Sequence, residues 1–269
     1  MRIAIISDIH SNLAAFEAVL DHIQTQHVDR VIINGDVINA GPDAVACLEL
    51  AYRTGHLFVA GNHERYIRDF DKPNRPPEWD SDDWKPSLWT VQQLGLERRK
   101  QLHDLAWSFE HEGLLVVHAS LRHDQDSIFA PTPMREIAGM FHETAAQTIV
   151  RSHNHIPQYR PWHERMIVTT GAVGQPLDGN PWAKYAIAEQ HEHGWFVKHR
   201  VVPYDTEATR RSFHASGFYD FAYPMSRLYL REVMVGTHHV VPFLRFLHEW
   251  RKEDPTITSA QAMQRFMEI

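Results

Sequence analysis

Carboxylate, imidazole and amide side chains recur in short clusters over the first part of the chain: Asp8-Ile9-His10, Gly35-Asp36, Gly61-Asn62-His63-Glu64, His118 and His153-Asn154-His155. These are the mixed oxygen and nitrogen donors that first-row divalent metals accept, in numbers sufficient for two ions. Asp8 and His10 are two residues apart, a spacing that puts both side chains on one side of an extended segment, where they can bind one ion. Asp36 has two oxygens and can bridge two cations at the roughly 3.5–4 Å separation used by two-metal hydrolases. Asn62 adds an amide oxygen that ligates without adding charge, and Gly61 is expected to supply the sharp turn that points it back over the strand ends. His63 suits another role, donating a proton to a leaving oxygen or stabilising charge on a phosphoryl group. His118 alone reads more readily as a core histidine, whereas His153 and His155 repeat the two-residue spacing and can serve different ions.

The elements that must position these groups are written in the apolar runs before them. Ile3 to Ile6, Val31 to Ile33, Leu57 to Ala60, Leu114 to Val117 and Thr148 to Val150 read as strands, so each cluster falls at a strand's C-terminal end, where open α/β sheets collect ligands. Asn12 or Ser11 can cap a helix whose Leu13, Phe16, Leu20 and Ile23 recur at helical spacing. A second helix opens after Gly41-Pro42-Asp43, runs through Leu48 and Tyr52 and is expected to stop near Gly55. Two strand-helix units followed by a third strand predict a parallel sheet with right-handed crossovers.

From Asp71 to Pro86, Pro73, Pro76, Pro77 and Pro86 lie among Asp and Trp residues, which predicts an irregular surface loop. Helix is expected from about Ser87 to Ala106 and from Met134 to Ala146. Trp107 to Glu110 and Leu114 to Val117 read as a hairpin across His111-Glu112-Gly113, and Met166 to Thr170, Ala183 to Ala188 and Trp195 to Val202 as further strands. The strand-rich latter half predicts a second sheet stacked on the first. After about Asp205 the pattern turns amphipathic, most clearly at Val240, Phe243, Leu244, Leu247 and Trp250, a stripe suited to packing on the core, to covering the site or to a homo-oligomer interface.

Composition narrows the classes further. With 27 basic and 34 acidic residues the net charge is −7, so nucleic acid is not expected as a partner. Cys47 is the only cysteine of 269 residues, which excludes an internal disulfide and points to a reducing compartment, and it lies among apolar neighbours as a small core residue. Arg2 to Ile6 is too short for a signal peptide's apolar region and no run approaches a membrane span, so a cytoplasmic location is expected. Most of the 20 histidines are expected at the surface, among them His22, His27, His103, His191, His193, His238 and His239.

Read in order, the clusters give the pattern Asp-x-His, Gly-Asp, Gly-Asn-His-Glu, His and x-His-x-His, which resembles the calcineurin-like metallophosphoesterase superfamily over roughly residues 3 to 155. Similarity to its small bacterial and archaeal phosphodiesterase-like branch extends through Gly41-Pro42-Asp43, Gly174-Gln175-Pro176 and Asp178-Gly179 to about residue 203. The resemblance implies a four-layer α/β/β/α sandwich of two stacked mixed β-sheets flanked by helices, a metallophosphoesterase domain over 1–204 and a helical C-terminal extension over 205–269. It implies one ion held by Asp8, His10, Asp36 and His155 and another held by Asp36, Asn62, His118 and His153, with His63 assisting at the phosphate. Manganese, iron, zinc or nickel would suit, with manganese favoured. The implied reaction is hydrolysis of a phosphodiester or phosphomonoester of a small or nucleotide-like substrate, by attack of a metal-bridging hydroxide.

Departures from the family pattern are specific. Ser152 stands where the family has glycine, which is expected to shift the strand end slightly. Leu177 and Trp182 replace arginines frequent in the related branch, leaving Arg122 or Asn12 to contact substrate, although Asn12 serves equally as a helix cap. Diadenosine-tetraphosphatase and protein-phosphatase relatives carry Asp-Arg-Gly after Gly-Asp, and Asp36-Val37-Ile38-Asn39-Ala40-Gly41 has no arginine, which disfavours those chemistries. A non-catalytic metal-binding scaffold with the same fold is the reading from another class; lost ligands would favour it, and none is lost here.

Overall fold

Ile3, Ala4, Ile5 and Ile6 are all fully buried, as a strand covered on both faces requires, and they form β1 (Arg2–Ile6) at the centre of a sheet. A computed structural model describes residues 1–54 and 56–266 of the chain. β1 leads through α1 (Leu13–Gln24) to β2 (Arg30–Asn34), and then through α2 (Ala44–Arg53) to β3 (Leu57–Val59). The expected stop of α2 at Gly55 lies outside the described residues. β1, β2 and β3 pair in parallel with Ile6 opposite Ile33 and Asn34 opposite Val59, so the polar residues after each strand emerge at one edge.

α3 (Asn62–Asp69) follows β3 directly and leads to α4 (Lys85–Lys100). The segment between them lies at the surface, as expected from its prolines, but is not irregular throughout. It winds into short 3₁₀ turns at Pro77–Asp80 and Asp82–Trp84, because Trp79 buries itself between Phe70 and Trp84, ring centroids 5.8 and 4.6 Å away. α4 starts two residues before the expected position, with Pro86 in its first turn, and ends at Lys100 rather than Ala106; Gly95, at φ 63°, breaks its regular geometry.

β4 (Ser108–His111) and β5 (Leu114–Val117) form the expected hairpin and open the second sheet. α5 (Met134–Phe141) is shorter than expected, since the Thr144 hydroxyl takes the Ala146 N–H and no helical ladder continues. β6 (Thr148–Arg151), β7 (Gln158–Trp162) and β8 (Arg165–Thr169) complete a sheet of order β4-β5-β6-β8-β7. β7 has no counterpart among the strands expected from the sequence, its Pro161 and alternating burial giving no apolar run.

β9 (Ala183–His191) and β10 (Gly194–Val202) correct the expectation that all the later strands build the second sheet. They return to the first, in the order β10-β9-β1-β2-β3, with β9 antiparallel to β1. Side-chain alternation builds the layers: Ile3, Ile5 and Ile32 meet Val116, Val150 and Val168 between the sheets, while Ala4, Ile6 and Ile33 face Phe16, Val19 and Leu48 of the covering helices. Leu115, Val117, Ile149 and Ile167 face Ile137 and Phe141 of α5 on the other side. The result is the two mixed five-stranded sheets flanked by helices that the resemblance implies.

The chain then continues in α6 (Thr206–Ala215), α7 (Phe218–Phe221), α8 (Met225–Val235), α9 (Val240–Glu253) and α10 (Ser259–Phe266). Val240, Phe243 and Leu247 of the amphipathic stripe pack with Met225, Leu228 and Met263, whereas Leu244 is 38% exposed. No helix among the described residues is long and apolar enough to cross a membrane.

Candidate metal centre

The loops after β1 and β2 are bound side by side through their backbones. Asp36 O accepts the N–H groups of Ile9 and His10 at 2.8 and 3.0 Å, and Ser7 O and Asp8 O accept from Val173 and Gly174. This ties in the loop after β8 as well. Asp8, His10, Asp36, His153 and His155 all have φ between 48° and 68°, the left-handed region that costs a residue with a Cβ. Asp8 and His10 therefore converge by local strain and not by the alternation of an extended segment. Gly61 needs no unusual torsion either, at φ −100° and ψ −179°. It is required for closeness, since a Cβ there would lie 2.2 Å from Asp36 Oδ1.

Two groups of donor atoms result. Asp8, His10, Asp36 and His155 each present one atom within 4.8 Å of the others, as do Asp36, His118 and His153, so either group can hold a metal ion. Asn62 Oδ1 joins the second group, 3.1 Å from His118 Nε2 and 3.0 Å from His153 Nδ1. Asp36 belongs to both. Its Oδ1 accepts the His63 N–H at 2.9 Å, while its Oδ2 lies 3.9 Å from His10 Nε2 and 3.3 Å from His118 Nε2.

Tautomers are set from outside the cluster. His118 Nδ1 donates to Asn34 O at 2.8 Å and His155 Nδ1 donates to Gln175 O at 2.7 Å, which turns each Nε2 inward, as in metal sites whose histidines are oriented by a carbonyl. His155 Nε2 and His10 Nε2 stand 3.2 Å apart. Among the described residues, buried Asp8 Oδ1 and His10 Nδ1 have no hydrogen-bond partner. Converging nitrogens, shared carboxylate oxygens and an unsatisfied buried oxygen fit a divalent cation, which would take the place of the protons now held between the donors.

The electrostatics of the cluster show the same coupling. Burial opposes the charge on Asp8, but the His155 imidazole outweighs it and lowers its pKa to about 2. Burial likewise opposes a charged His118, and Asp36 outweighs it, raising that pKa to about 10. Burial, with His118 and Arg151 adding to it, lowers His153 to about 3. Burial and then Asp36 raise Glu64 to about 7, against backbone N–H groups that favour its charge. Glu64 accepts from Asp36 N, Val37 N and Gly61 N at 2.7, 2.8 and 2.9 Å, binding the ends of β2 and β3 together.

His63 stands at the rim, its ring 4.7 Å from that of His10. Asn39 Nδ2 donates to His63 Nδ1 at 2.9 Å, and the amide is fixed in that sense because Asn39 Oδ1 accepts the Ala40 N–H at 2.8 Å. Neutral His63 thus carries its proton on Nε2. Asn39 gives no signal of this role in the sequence, where it is one polar residue in a loop.

Other neighbours depart from expectation. Ser152 accepts from Asn34 Nδ2 at 2.9 Å and bonds Thr170 Oγ1 at 3.1 Å, so its hydroxyl links strand ends where the family has glycine. Arg122 pairs with Asp126 at 2.7 Å. Asn12 caps α1 through Ala15 N and also donates to Gly174 O and Tyr204. For Asn12 this is the helix-cap role that the sequence equally offered. Of the histidines expected at the surface, His22 bonds the Tyr185 hydroxyl at 3.0 Å, whereas His238 is exposed as expected. A groove of about 1170 Å³ lined in part by Leu20, His27, Asp29 and Leu57 lies at the opposite end of the first sheet and contains none of these donors.

Residues 1–193 match the model of the calcineurin-like phosphoesterase superfamily domain. An uncharacterized protein of Methanocaldococcus jannaschii is 27% identical over 211 residues, 71% of this chain and 83% of that protein. A metallophosphoesterase from Sphaerobacter thermophilus superposes with a TM-score of 0.70 and 29% identity, over 88% of this chain and 99% of that one. A hypothetical protein from Pyrococcus horikoshii gives the same TM-score at 15% identity and shares the fold.

Proposed function

The chain belongs to the calcineurin-like phosphoesterase superfamily, and from that premise we propose that it is a phosphodiesterase for a small or nucleotide-like substrate, acting with two divalent ions. We assign one ion to Asp8, His10, Asp36 and His155, and the other to Asp36, Asn62, His118 and His153. The observation that carries this reading is the membership of Asp36 in both donor groups. Bound there, the ions would polarise the phosphoryl oxygens and lower the pKa of water to supply a nucleophile near neutral pH.

The chain's own groups do the remaining work. Asp36 Oδ2 lies between the two sets of imidazoles, with Oδ1 held on the N-terminus of α3 by the His63 N–H. His63 Nε2–H donates a hydrogen bond to the departing oxygen and stabilises the charge that develops there, and Asn39 keeps the proton on that nitrogen. Beside it the rings of His63, Tyr66 and Trp84 follow one another at 5.2 Å, which supports an aromatic moiety in the substrate. Residues 1–204 carry this chemistry in our assignment, with 205–269 as a helical extension. Of manganese, iron, zinc and nickel, manganese is the ion we favour.

The test is metal content together with hydrolysis of bis-p-nitrophenyl phosphate against p-nitrophenyl phosphate. We expect about two ions per chain, preference for the diester, and a loss of roughly 10²–10³-fold in kcat for His63→Ala. Protein that binds no first-row divalent ion would refute the reading.

A further inference from the structure

Glu232 in α8 is 1% exposed, and a buried carboxylate is costly unless its oxygens are fully bonded. Among the described residues it forms no ion pair. Its Oε1 instead accepts His239 N and Val240 N at 2.7 and 2.8 Å, at the N-terminus of α9, where the helix dipole favours negative charge. Its Oε2 accepts the side-chain amide of Gln175, itself 5% exposed. Gln175 is also the residue whose backbone oxygen accepts His155 Nδ1–H at 2.7 Å. One carboxylate therefore joins α8, the start of α9 and the loop that orients a member of the donor cluster.

A second contact holds the same two segments together. Gly179 N donates to Gly236 O at 2.7 Å, and Gly236, at φ 70°, passes so close that a Cβ there would lie 2.7 Å from the carbonyl carbon of Asn180. Lys184 steadies the same loop, pairing with Asp178 at 2.7 Å and bonding Asn180 O. All the partners on the helical side lie beyond residue 193, where the family match ends.

We propose that Glu232 is a positioning residue of the metal centre, clamping the C-terminal helices onto Gln175 so that His155 keeps its Nε2 turned toward Asp8 and His10. The proposal rests on the two-ion reading above. Outer partners of ligating histidines govern metal affinity, and only the group containing His155 is reached by this clamp. Its loss acts on one ion and spares the other.

The experiment is calorimetric titration of the metal-stripped full chain with Mn²⁺, combined with metal analysis after dialysis. Gln175→Ala keeps the backbone carbonyl, and both it and Glu232→Ala are expected to weaken one of two binding events by roughly 10–100-fold and leave the other unchanged. The double variant should lose no more than either single one, because both remove the same contact. Glu232→Gln should recover most of the affinity, since a flipped Gln175 amide can accept from the new side chain. Ser226→Ala, which removes another α8 bond, to Tyr219 O, should leave both events intact. Should Glu232→Ala fail to fold, Gln175→Ala alone decides. Two unaltered events in the variants, equal weakening of both, or additive losses overturn the clamp while the two-ion reading stands. Wild-type protein that binds no metal overturns both.

Discussion

Around Asp8, His10 and His155 the donors sit on loops in left-handed backbone and, among the described residues, Asp8 Oδ1 is left without a hydrogen bond, whereas around Asn62, His118 and His153 the donor atoms already bond one another. The first group draws its donors from the loops after β1, β2 and β6; the second includes a helix N-terminus and a strand end. A cation would contribute more to the first, where it satisfies the buried Asp8 Oδ1 that otherwise costs free energy, and less to the second, where amide and imidazole already pair. Similar residue types thus make two unequal donor groups.

Asp36 is the point where the difference disappears, so Asp36→Asn is the harshest test. It should cost roughly 10³-fold in kcat and remove both ions from metal analysis. Retention of wild-type turnover would end the shared-bridge assignment.

Arg151 tests the support beneath His153 and His155. Its guanidinium is fully buried and donates to Ala119 O at 2.8 Å, to Asp126 O at 2.5 Å and to the Asn154 side chain between the two histidines. Arg151→Met leaves these acceptors bare and should destabilise the fold by about 2–4 kcal/mol in urea titration, with ions at both sites bound more weakly. Loss confined to one ion would show that the turn is held elsewhere.

Asn39→Ala separates metal binding from the hydrogen bond that His63 offers the departing oxygen. Without the amide the His63 tautomer is free, and kcat should fall about tenfold with metal content unchanged. A change in metal content would move Asn39 from the rim into the donor groups.

The smallest effect is on pH. His153, lowered by burial from 6.5 to about 3, costs the fold nothing above pH 6.5 but progressively more as pH falls toward 3, because the unfolded chain protonates first. His118 is raised from 6.5 to about 10, so its contribution is complete below pH 6.5 and is lost as pH rises toward 10. Glu64, raised from 4.5 to about 7, offsets the His153 limb below pH 6.5, so thermal melts of metal-stripped protein should fall as pH rises from 6.5 toward 10, and a flat limb there would contradict the coupling between Asp36 and His118.

The sequence by itself determined the donor types, their order and the strand ends that carry them, because apolar runs and turn residues act locally and the side-chain chemistry is intrinsic. The α/β class followed from the same local signals. Tertiary structure decided the rest. Left-handed torsions at Asp8 and His10 replace the alternation that their spacing suggested, Asn39 becomes a tautomer switch only once His63 is 2.9 Å away, and β9 joins β1 instead of the later strands. Glu232 shows the reason most plainly: its 57-residue separation from Gln175 leaves no local trace, and a buried carboxylate acquires meaning only from the donors that the fold brings to it.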